Sequence, residues 1–294
     1  RVVGGAFDGE RDALEAVTAS KSAISGGAVI SLRRFRVGDG AEIDRARALG
    51  TRTGGADDVA CVGAACARET DEIVAALASG EIAAAPRARD AGDDACDVVG
   101  EMPCGMRAFA WSPDGEGCAV LSAEGRVVIM TRDFYPESET RADGAADDAE
   151  DAEDGTTSGG TISWRGDGRY FACSSTSAKT GETTMRVWER EGGRVESVGE
   201  TRTASSGTPA TLAAGDGTPA LAWQPRGALI AAAARSEGDV SDRVVFYERN
   251  GLRRGEFVLP GEGAEITSLA WSADSACLAA ATRYRDGAHA VQIW

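Results

Sequence analysis

The sequence has 294 residues, enough for one large domain, and although 43% of them are hydrophobic only 6% are aromatic. With 47 acidic and 31 basic residues the chain carries a net charge of −16, which disfavours a nucleic-acid-binding protein because affinity for DNA or RNA depends on neutralising phosphates. No apolar run reaches the roughly 18 residues of a membrane-spanning helix, and no secretory signal pattern opens the chain, so we expect no membrane association.

The first part of the chain contains few regular patterns. Residues 13–17 are compatible with a short helix or with no regular element, whereas residues 28–35 (AVISLRRF) predict a strand. Arg33, Arg34 and Arg36, in and directly after that strand, form a small basic cluster. Such a cluster could contact phosphate, but in most proteins it is simply the solvated face of a strand.

Residues 73–85 (IVAALASGEIAAA) predict a β-hairpin that turns at Ser79 and Gly80. The hairpin is a candidate for the outer strands of one sheet in a repeated fold. Residues 86–97 are polar and charged, and they predict a connection to the strand that ends at Trp111.

Four later segments share one plan: a strand ending in tryptophan, a turn rich in Gly and Asp, and two further apolar strands. The four tryptophans stand at positions 111, 164, 223 and 271, so they are 53, 59 and 48 residues apart. The aromatic residue of the third strand follows 24, 24 and 23 residues after the last three of them, at Trp188, Tyr247 and Trp294. Repetition at about 40 to 50 residues with four short strands per unit predicts a β-propeller.

One blade of a propeller cannot cover both faces of its own sheet, so neighbouring blades must pack against each other. We therefore expect six tryptophans in the core between blades: Trp111, Trp164, Trp188, Trp223, Trp271 and Trp294. The fold class is all-β, a WD-repeat-like propeller that forms a single domain over residues 1–294. Because the sequence starts with Arg1 and stops at the end of a blade strand, we interpret it as a fragment of a longer chain.

Residues 143–160 contain the acidic run DGAADDAEDAEDG followed by Thr, Ser and Gly. Acidic residues without large apolar neighbours repel one another and stay solvated, so this segment predicts a disordered loop between blades. A calcium site is the alternative, but the spacing does not match an EF-hand loop.

The sequence offers little for catalysis or metal binding. Its seven cysteines form no C-x-x-C pair, and His289 is the only histidine, which disfavours a disulfide framework or a zinc site. There is no G-x-S-x-G elbow and no phosphate-binding glycine loop. We therefore expect a protein without enzymatic activity, metal or cofactor.

Several strings together resemble one protein family. ISWRGDGRYFA, RVWERE, LAWQPRGALIA, VFYERNGLRRGEF and LAWSADSACLA, in this order between residues 162 and 279, are similar to the amino-terminal propeller of the Elongator complex subunit 1 (IKAP) family. The turn WSPD from Trp111 and the string MTRDF from Met130 match it too. The resemblance covers roughly residues 70–294, and the family's propeller is expected to have seven blades.

The resemblance implies a non-catalytic scaffold of the Elongator complex, which modifies the wobble uridine (U34) of certain transfer RNAs in the cytoplasm and also the nucleus. The expected partners are the catalytic radical and acetyltransferase subunit and a second propeller subunit. The family dimerises through regions outside this sequence. Transfer RNA would contact this part only weakly, and the candidate phosphate contacts are Arg33, Arg34, Arg253 and Arg254.

The sequence also departs from the family between Met130 and Thr161, where the acidic run replaces a strand-forming segment. About 30 residues are too few for a four-stranded blade with its loops, so the sequence predicts an incomplete blade or a lost exon there. Two alternative functions stay open. W-S-P-D-G turns also occur in propellers that gate serine peptidases, and a generic interaction propeller of another complex is the third reading.

Overall fold

A computed structural model describes residues 2–8, 13–21, 28–36, 38–42, 47–52, 60–67, 70–86, 97–143, 156–191, 194–200, 220–235 and 240–294. Within these ranges every regular element is a β-strand, and the strands form six antiparallel sheets. Five of these sheets have four strands and the last has three. The described part of the chain contains no helix long and apolar enough to cross a membrane.

The strands follow the chain in order. The first sheet contains β1 (Val2–Asp8), β2 (Ala13–Lys21), β3 (Ala28–Arg36) and β4 (Arg47–Arg52). The second contains β5 (Cys61–Ala67), β6 (Glu72–Leu77), β7 (Glu81–Pro86) and β8 (Asp97–Glu101). The third contains β9 (Met106–Trp111), β10 (Gly117–Ser122), β11 (Arg126–Thr131) and β12 (Pro136–Arg141). The fourth contains β13 (Thr157–Trp164), β14 (Tyr170–Ser177), β15 (Thr183–Glu191) and β16 (Arg194–Glu200). The fifth contains β17 (Leu221–Trp223), β18 (Ile230–Ala234), β19 (Arg243–Tyr247) and β20 (Arg253–Val258). The sixth contains β21 (Glu265–Trp271), β22 (Leu278–Arg283) and β23 (His289–Ile293).

Each sheet is a simple meander in which consecutive strands pair. The first strands of successive sheets contact one another, β1 with β5, β5 with β9, β9 with β13, β13 with β17 and β17 with β21. Six sheets that follow one another in this way, each with its first strand against the next sheet's first strand, form the blades of a propeller. The structure therefore confirms the all-β propeller fold that the repeat predicts.

The two-residue period of each strand explains why neighbouring sheets depend on each other. In β14, Phe171 and Cys173 pack into the core between the third and fourth sheets, whereas Tyr170 and Ala172 pack into the core between the fourth and fifth. Side chains that point to opposite faces of one strand thus enter two different cores. A sheet that lies between two other sheets is consequently apolar on both faces, and it cannot be stable alone.

Three of the predicted core tryptophans are buried between sheets. Trp164 and Trp188 lie in the core between the third and fourth sheets, where the Trp164 ring centroid is 4.7 Å from that of Phe171. Trp223 occupies the core between the fourth and fifth sheets. Trp188 is 1% exposed and Trp223 is 3% exposed, so their indole rings have exchanged almost all of their water contact for protein.

The other three tryptophans are more accessible. Trp111 and Trp271 are half-buried and pack against the edges of their cores. Trp294, which the repeat predicts to be a core residue, has a side chain that is 42% exposed in this chain. It follows β23, the edge strand of the three-stranded sheet, and its ring lies 4.7 Å from the ring of Phe257 between centroids. No described strand lies beyond β23 to cover it.

Among the described residues between Met130 and Thr161, the third sheet ends and the fourth sheet begins. β12 is the fourth strand of the third sheet and β13 is the first strand of the fourth, so the third sheet is complete. The prediction of an incomplete blade at this point was wrong because β12, with the sequence PESETR, is an exposed edge strand without apolar alternation.

The predicted disordered loop over residues 143–160 is too long at its carboxyl end. Residues 157–160 belong to β13, and the buried Thr157 hydroxyl donates a hydrogen bond to the Ser122 carbonyl at 3.1 Å. Asp143 accepts hydrogen bonds from Arg141. The acidic residues 144–155 lie outside the described residues.

Near the amino terminus, residues 13–17 lie in strand β2, so the helix alternative considered for them was wrong. The hairpin over residues 73–85 is confirmed as β6 and β7. Gly80 closes it with a φ of +106°, a conformation that costs a residue with a Cβ considerable strain. Most of the predicted polar connection, residues 87–96, lies outside the described residues.

The burial of Trp223 leads to a stability prediction. Trp223→Ala should lower the free energy of unfolding by about 3–5 kcal/mol, because it removes a large ring from a core shared by two sheets. Chemical denaturation followed by circular dichroism would measure the change. Tyr135→Ala is the matched control, since Tyr135 is 71% exposed and its loss should cost less than about 0.5 kcal/mol. Equal effects of the two substitutions would contradict the proposed packing.

Candidate functional site

The turns that follow the tryptophans lie at one end of the sheets, and we call this end the turn face. It is defined by residues 112–116, 165–169, 224–227 and 272–276. Ser112 donates to the Asp114 carboxylate at 2.5 Å, and Ser272 donates to Asp274 at 2.6 Å. The serine hydroxyl holds the pKa of Asp274 below its usual range. These turns therefore carry carboxylates that hydrogen bonds hold in place at the surface.

The tryptophans also differ in the acceptor to which the indole N–H donates a hydrogen bond. Trp164 donates to the Ala110 carbonyl at 3.0 Å, and Trp271 donates to the Ala222 carbonyl at 3.2 Å. Both bonds connect one sheet to the first strand of the preceding sheet. Trp223 instead donates to Gly227 in its own turn at 3.3 Å.

Trp111 makes no such bond within the described residues. Its ring contacts are with Phe109, at 6.3 Å between centroids, and with Phe134, at 5.6 Å and an interplanar angle of 65°. A cavity of about 900 Å³ opens beside it on the turn face, between the second and third sheets. We call it the inter-sheet cavity, and its size is in the range of ligand-binding pockets.

Both apolar and charged groups line the inter-sheet cavity. Trp111, Phe134 and Val99 supply apolar surface, while Glu72 and Asp133 supply carboxylates and Arg132 supplies a guanidinium. Phe134 reaches the cavity from the turn between β11 and β12, where its φ is +63°. Sequence reasoning missed this site because Phe134 stands in a turn, outside the strand alternation that identified the other aromatic residues.

Arginines surround Tyr170 at the neighbouring part of the turn face. The guanidinium carbons of Arg165 and Arg249 lie 4.2 Å and 4.7 Å from the centre of the ring, and that of Arg169 lies 5.5 Å away. The Tyr170 hydroxyl donates to Glu189 at 2.6 Å, and this bond raises the pKa of the tyrosine. Tyr170 is therefore a fixed hydrogen-bond donor and a poor general base.

The arginines of this region are largely neutralised by carboxylates of the same chain. Arg190 forms an ion pair with Asp114 of the preceding sheet, and Arg165 forms one with Asp167. Arg169 pairs with Glu189 at 2.6 Å. The turn face thus presents alternating charges in place of a continuous basic surface.

The four arginines predicted to contact phosphate are not brought together. Arg33 and Arg34 lie on β3 of the first sheet, and Arg253 and Arg254 lie on β20 of the fifth. Arg33 is 3.8 Å from Glu42, while the side chain of Arg34 lies outside the described side chains. Arg253 pairs with Glu256, and Arg254 is 3.3 Å from Glu248. Each described arginine of this set thus has a carboxylate beside it.

Side chains that could ligate a metal ion are scattered over the part of the chain that the structure describes. No three His, Cys, Asp or Glu side chains there are grouped so that they could hold a metal ion. Burial raises the pKa of Cys118 and of Cys173 to about 12, so neither thiol is a nucleophile near neutral pH. His289 is exposed at the first residue of β23.

Comparison with known proteins places the chain in context. The family model described as the ELP1 first N-terminal β-propeller matches residues 56–160 and 137–294. Elongator complex protein 1 of Oryctolagus cuniculus is 30% identical over 217 residues, which are 62% of this chain and 15% of that protein. The Arabidopsis thaliana protein of the same name is 29% identical over 214 residues, 68% of this chain and 15% of the relative.

The Saccharomyces cerevisiae relative, also named Elongator complex protein 1, is 26% identical over 296 residues, covering 77% of this chain and 20% of the relative. This chain therefore spans a fifth or less of the length of these relatives. Among solved structures, the β-propeller domain of Cps50 (Swd1) from Myceliophteria thermophila superposes with a TM-score of 0.62 and 13% identity. The superposition covers 100% of this chain and 96% of the other, and it supports the fold alone.

The Arg165–Asp167 pair gives a pH-dependent prediction. The hydrogen bond from Arg165 holds the pKa of Asp167 in the folded protein below its ordinary value. The ionised carboxylate therefore stabilises the folded state fully at a pH above the ordinary, unfolded-state pKa. This stabilisation is lost as the pH falls through the lower, folded-state pKa. At pH 7, Asp167→Asn should lower the free energy of unfolding by about 0.2–1 kcal/mol, because the pair is partly exposed. The difference should vanish once the pH lies well below the folded-state pKa of Asp167.

Urea denaturation across this pH range would measure the effect. Asp286→Asn is the matched control, because Asp286 also accepts a backbone hydrogen bond in a turn, from Ala288 at 2.9 Å, but forms no ion pair among the described residues. An effect of Asp167→Asn that does not change with pH would contradict the role of the ion pair.

Proposed function

This chain belongs to the Elongator complex protein 1 family as its first N-terminal β-propeller, and we propose that it is a non-catalytic scaffold part of the Elongator complex. In this role it helps to position the catalytic subunit and a second propeller subunit for modification of the tRNA wobble uridine. The observation that carries the proposal is the family match over residues 56–160 and 137–294, together with a fold in which each sheet packs against its neighbours.

A scaffold requires rigid surfaces more than reactive groups. The described strands are linked both by cores shared between sheets and by indole hydrogen bonds that cross from one sheet to the next. Loops held on such a framework lose little entropy when a partner binds, which favours affinity. The turn face, with its fixed carboxylates and paired arginines, is the surface best suited to contact other subunits.

The alternating charges of this surface also indicate how it would recognise a partner. Charged groups at the rim of an interface mainly steer association and exclude wrong partners. The family match supports the Elongator scaffold role over two alternatives considered from the sequence. These are a propeller that gates a serine peptidase and an interaction propeller of an unrelated complex.

Direct binding of tRNA by this part of the protein would be weak. The net charge of −16 opposes approach of a polyanion, and the described candidate arginines stand beside carboxylates. We propose that tRNA is held mainly by other parts of the complex. The whole assembly would act in the cytoplasm and the nucleus.

Subunit recovery tests the scaffold proposal. Deleting residues 1–294 from the full-length protein should reduce the recovery of the catalytic and second propeller subunits in an affinity pull-down, because the turn face and its loops are lost. The mass of the truncated protein in light scattering is the control, since dimerisation through the remaining regions shows that these have folded. Unchanged recovery of both subunits would contradict the proposal.

Transfer-RNA binding gives a second prediction. In the full-length protein, replacing Arg33, Arg34, Arg253 and Arg254 by glutamine should change the tRNA dissociation constant less than about twofold at physiological salt, because arginines paired with carboxylates release few counterions from RNA. A filter-binding titration at several salt concentrations would measure it. A loss of about tenfold or more, with a shallower salt dependence, would show that these side chains bind phosphate.

A further inference from the structure

We propose that the inter-sheet cavity binds a basic side chain, arginine or lysine, on a peptide segment of a partner protein. The inference rests on the proposed scaffold function, since it names the kind of partner group that one part of the turn face recognises. The observation behind it is that two equivalent tryptophans of the repeat, Trp164 and Trp111, have different surroundings.

Strand register defines these equivalent positions. In the fourth sheet Trp164 pairs with Phe171, and Phe171 pairs with Trp188. In the third sheet Trp111 pairs with Cys118, and Cys118 pairs with Met130. Two residues beyond the paired position on the third strand, each sheet has an arginine: Arg190 in the fourth and Arg132 in the third.

At the interface between the third and fourth sheets the chain provides its own cation. The Arg190 guanidinium carbon lies 5.4 Å from the centre of the Trp164 ring, and the same guanidinium pairs with the Asp114 carboxylate. A cation over an indole ring, held by a carboxylate, is a favourable arrangement because the ring face is electron-rich. This interface thus shows which chemical group fits beside the repeated tryptophan.

The corresponding place at Trp111 has the ring and the carboxylates, but no cation over the ring. Arg132 lines the inter-sheet cavity and already has an interaction partner, but neither its guanidinium nor any other described one lies over the ring of Trp111. The Trp111 indole N–H also has no hydrogen-bond partner among the described residues, whereas that of Trp164 donates across the sheet interface. A bound peptide could supply both a cation for the ring and a carbonyl oxygen for the N–H.

The charges of the inter-sheet cavity favour the same ligand. Glu72 and Asp133 line it and form no ion pair with any described residue, while Asp114 is already bound by Ser112 and Arg190. Two carboxylates are therefore left to receive a positive charge. Phe134 and Val99 offer apolar surface for the methylene stem of an arginine or lysine. The net charge of −16 would attract basic segments to the surface.

A peptide pair that differs only in charge tests the inference. Full-length protein would be titrated with a dye-labelled peptide, Gly-Gly-Arg-Arg-Gly-Gly, and with the same peptide carrying citrulline, the neutral isostere of arginine, while fluorescence anisotropy reports binding. We expect the arginine peptide to bind and the citrulline peptide to bind at least about tenfold more weakly, because a cation–π contact and two ion pairs are lost. Equal binding of the two peptides would overturn the inference.

Substitutions then locate the binding site. The double variant Glu72→Gln, Asp133→Asn removes both carboxylates without changing the shape of the cavity and should weaken arginine-peptide binding about threefold or more. The control, Glu262→Gln with Asp286→Asn, makes the same charge change at exposed positions away from the turn face and should leave binding unchanged. Equal losses in both double variants would overturn the inference in favour of non-specific attraction.

Photo-crosslinking gives a readout that does not depend on a variant folding. A benzophenone placed next to the two arginines of the peptide should label residues around Trp111 and Phe134. Labelling confined to other regions would overturn the inference.

The proposed function is tested separately by the deletion of residues 1–294. If the deletion reduces recovery of the partner subunits but the arginine peptide does not bind, the scaffold role stands and the cavity assignment fails. If the deletion leaves recovery of the partner subunits unchanged, the scaffold role itself fails.

Discussion

Packing between neighbouring sheets is the interaction on which the rest of this structure depends. In β14, Phe171 and Tyr170 enter cores on opposite sides of the fourth sheet, so that sheet contributes to two cores at once. A strand whose two faces are both apolar is stable only when both are covered, which is the physical reason that sheets of this kind form a ring or stack. Loss of one core must therefore weaken the sheets on either side of it.

The same constraint explains where a binding site can arise. At Trp164 the interface is filled from within, by a hydrogen bond to Ala110 and by Arg190 over the ring. At Trp111 neither contact exists among the described residues, and a cavity of about 900 Å³ takes their place. A repeat can thus bind a partner at an interface that stays open, without disturbing the packing of an interface that is filled.

On the turn face, positive and negative side chains of the same chain are paired. The chain carries an excess of acidic residues, yet the arginines of the turn face are held by carboxylates such as Asp114, Asp167 and Glu189. Exposed pairs of this type add little stability individually, but they fix the position of charged groups that a partner would meet. This arrangement suits a protein that acts through contacts with other subunits, as the family membership suggests.

The sequence by itself determined the fold class, because the tryptophan spacing, the glycine turns and the two-residue alternation are local properties of the chain. The family was indicated separately, by the resemblance of strings such as ISWRGDGRYFA and VFYERNGLRRGEF. It also placed Trp164, Trp188 and Trp223 at positions that the structure shows to be buried. Only the tertiary structure decided that PESETR is an edge strand and that Arg190 covers Trp164 while no described cation covers Trp111. These features depend on which sheet lies beside which and on the direction of single side chains across an interface, and no repeat in the sequence encodes such differences between otherwise equivalent positions.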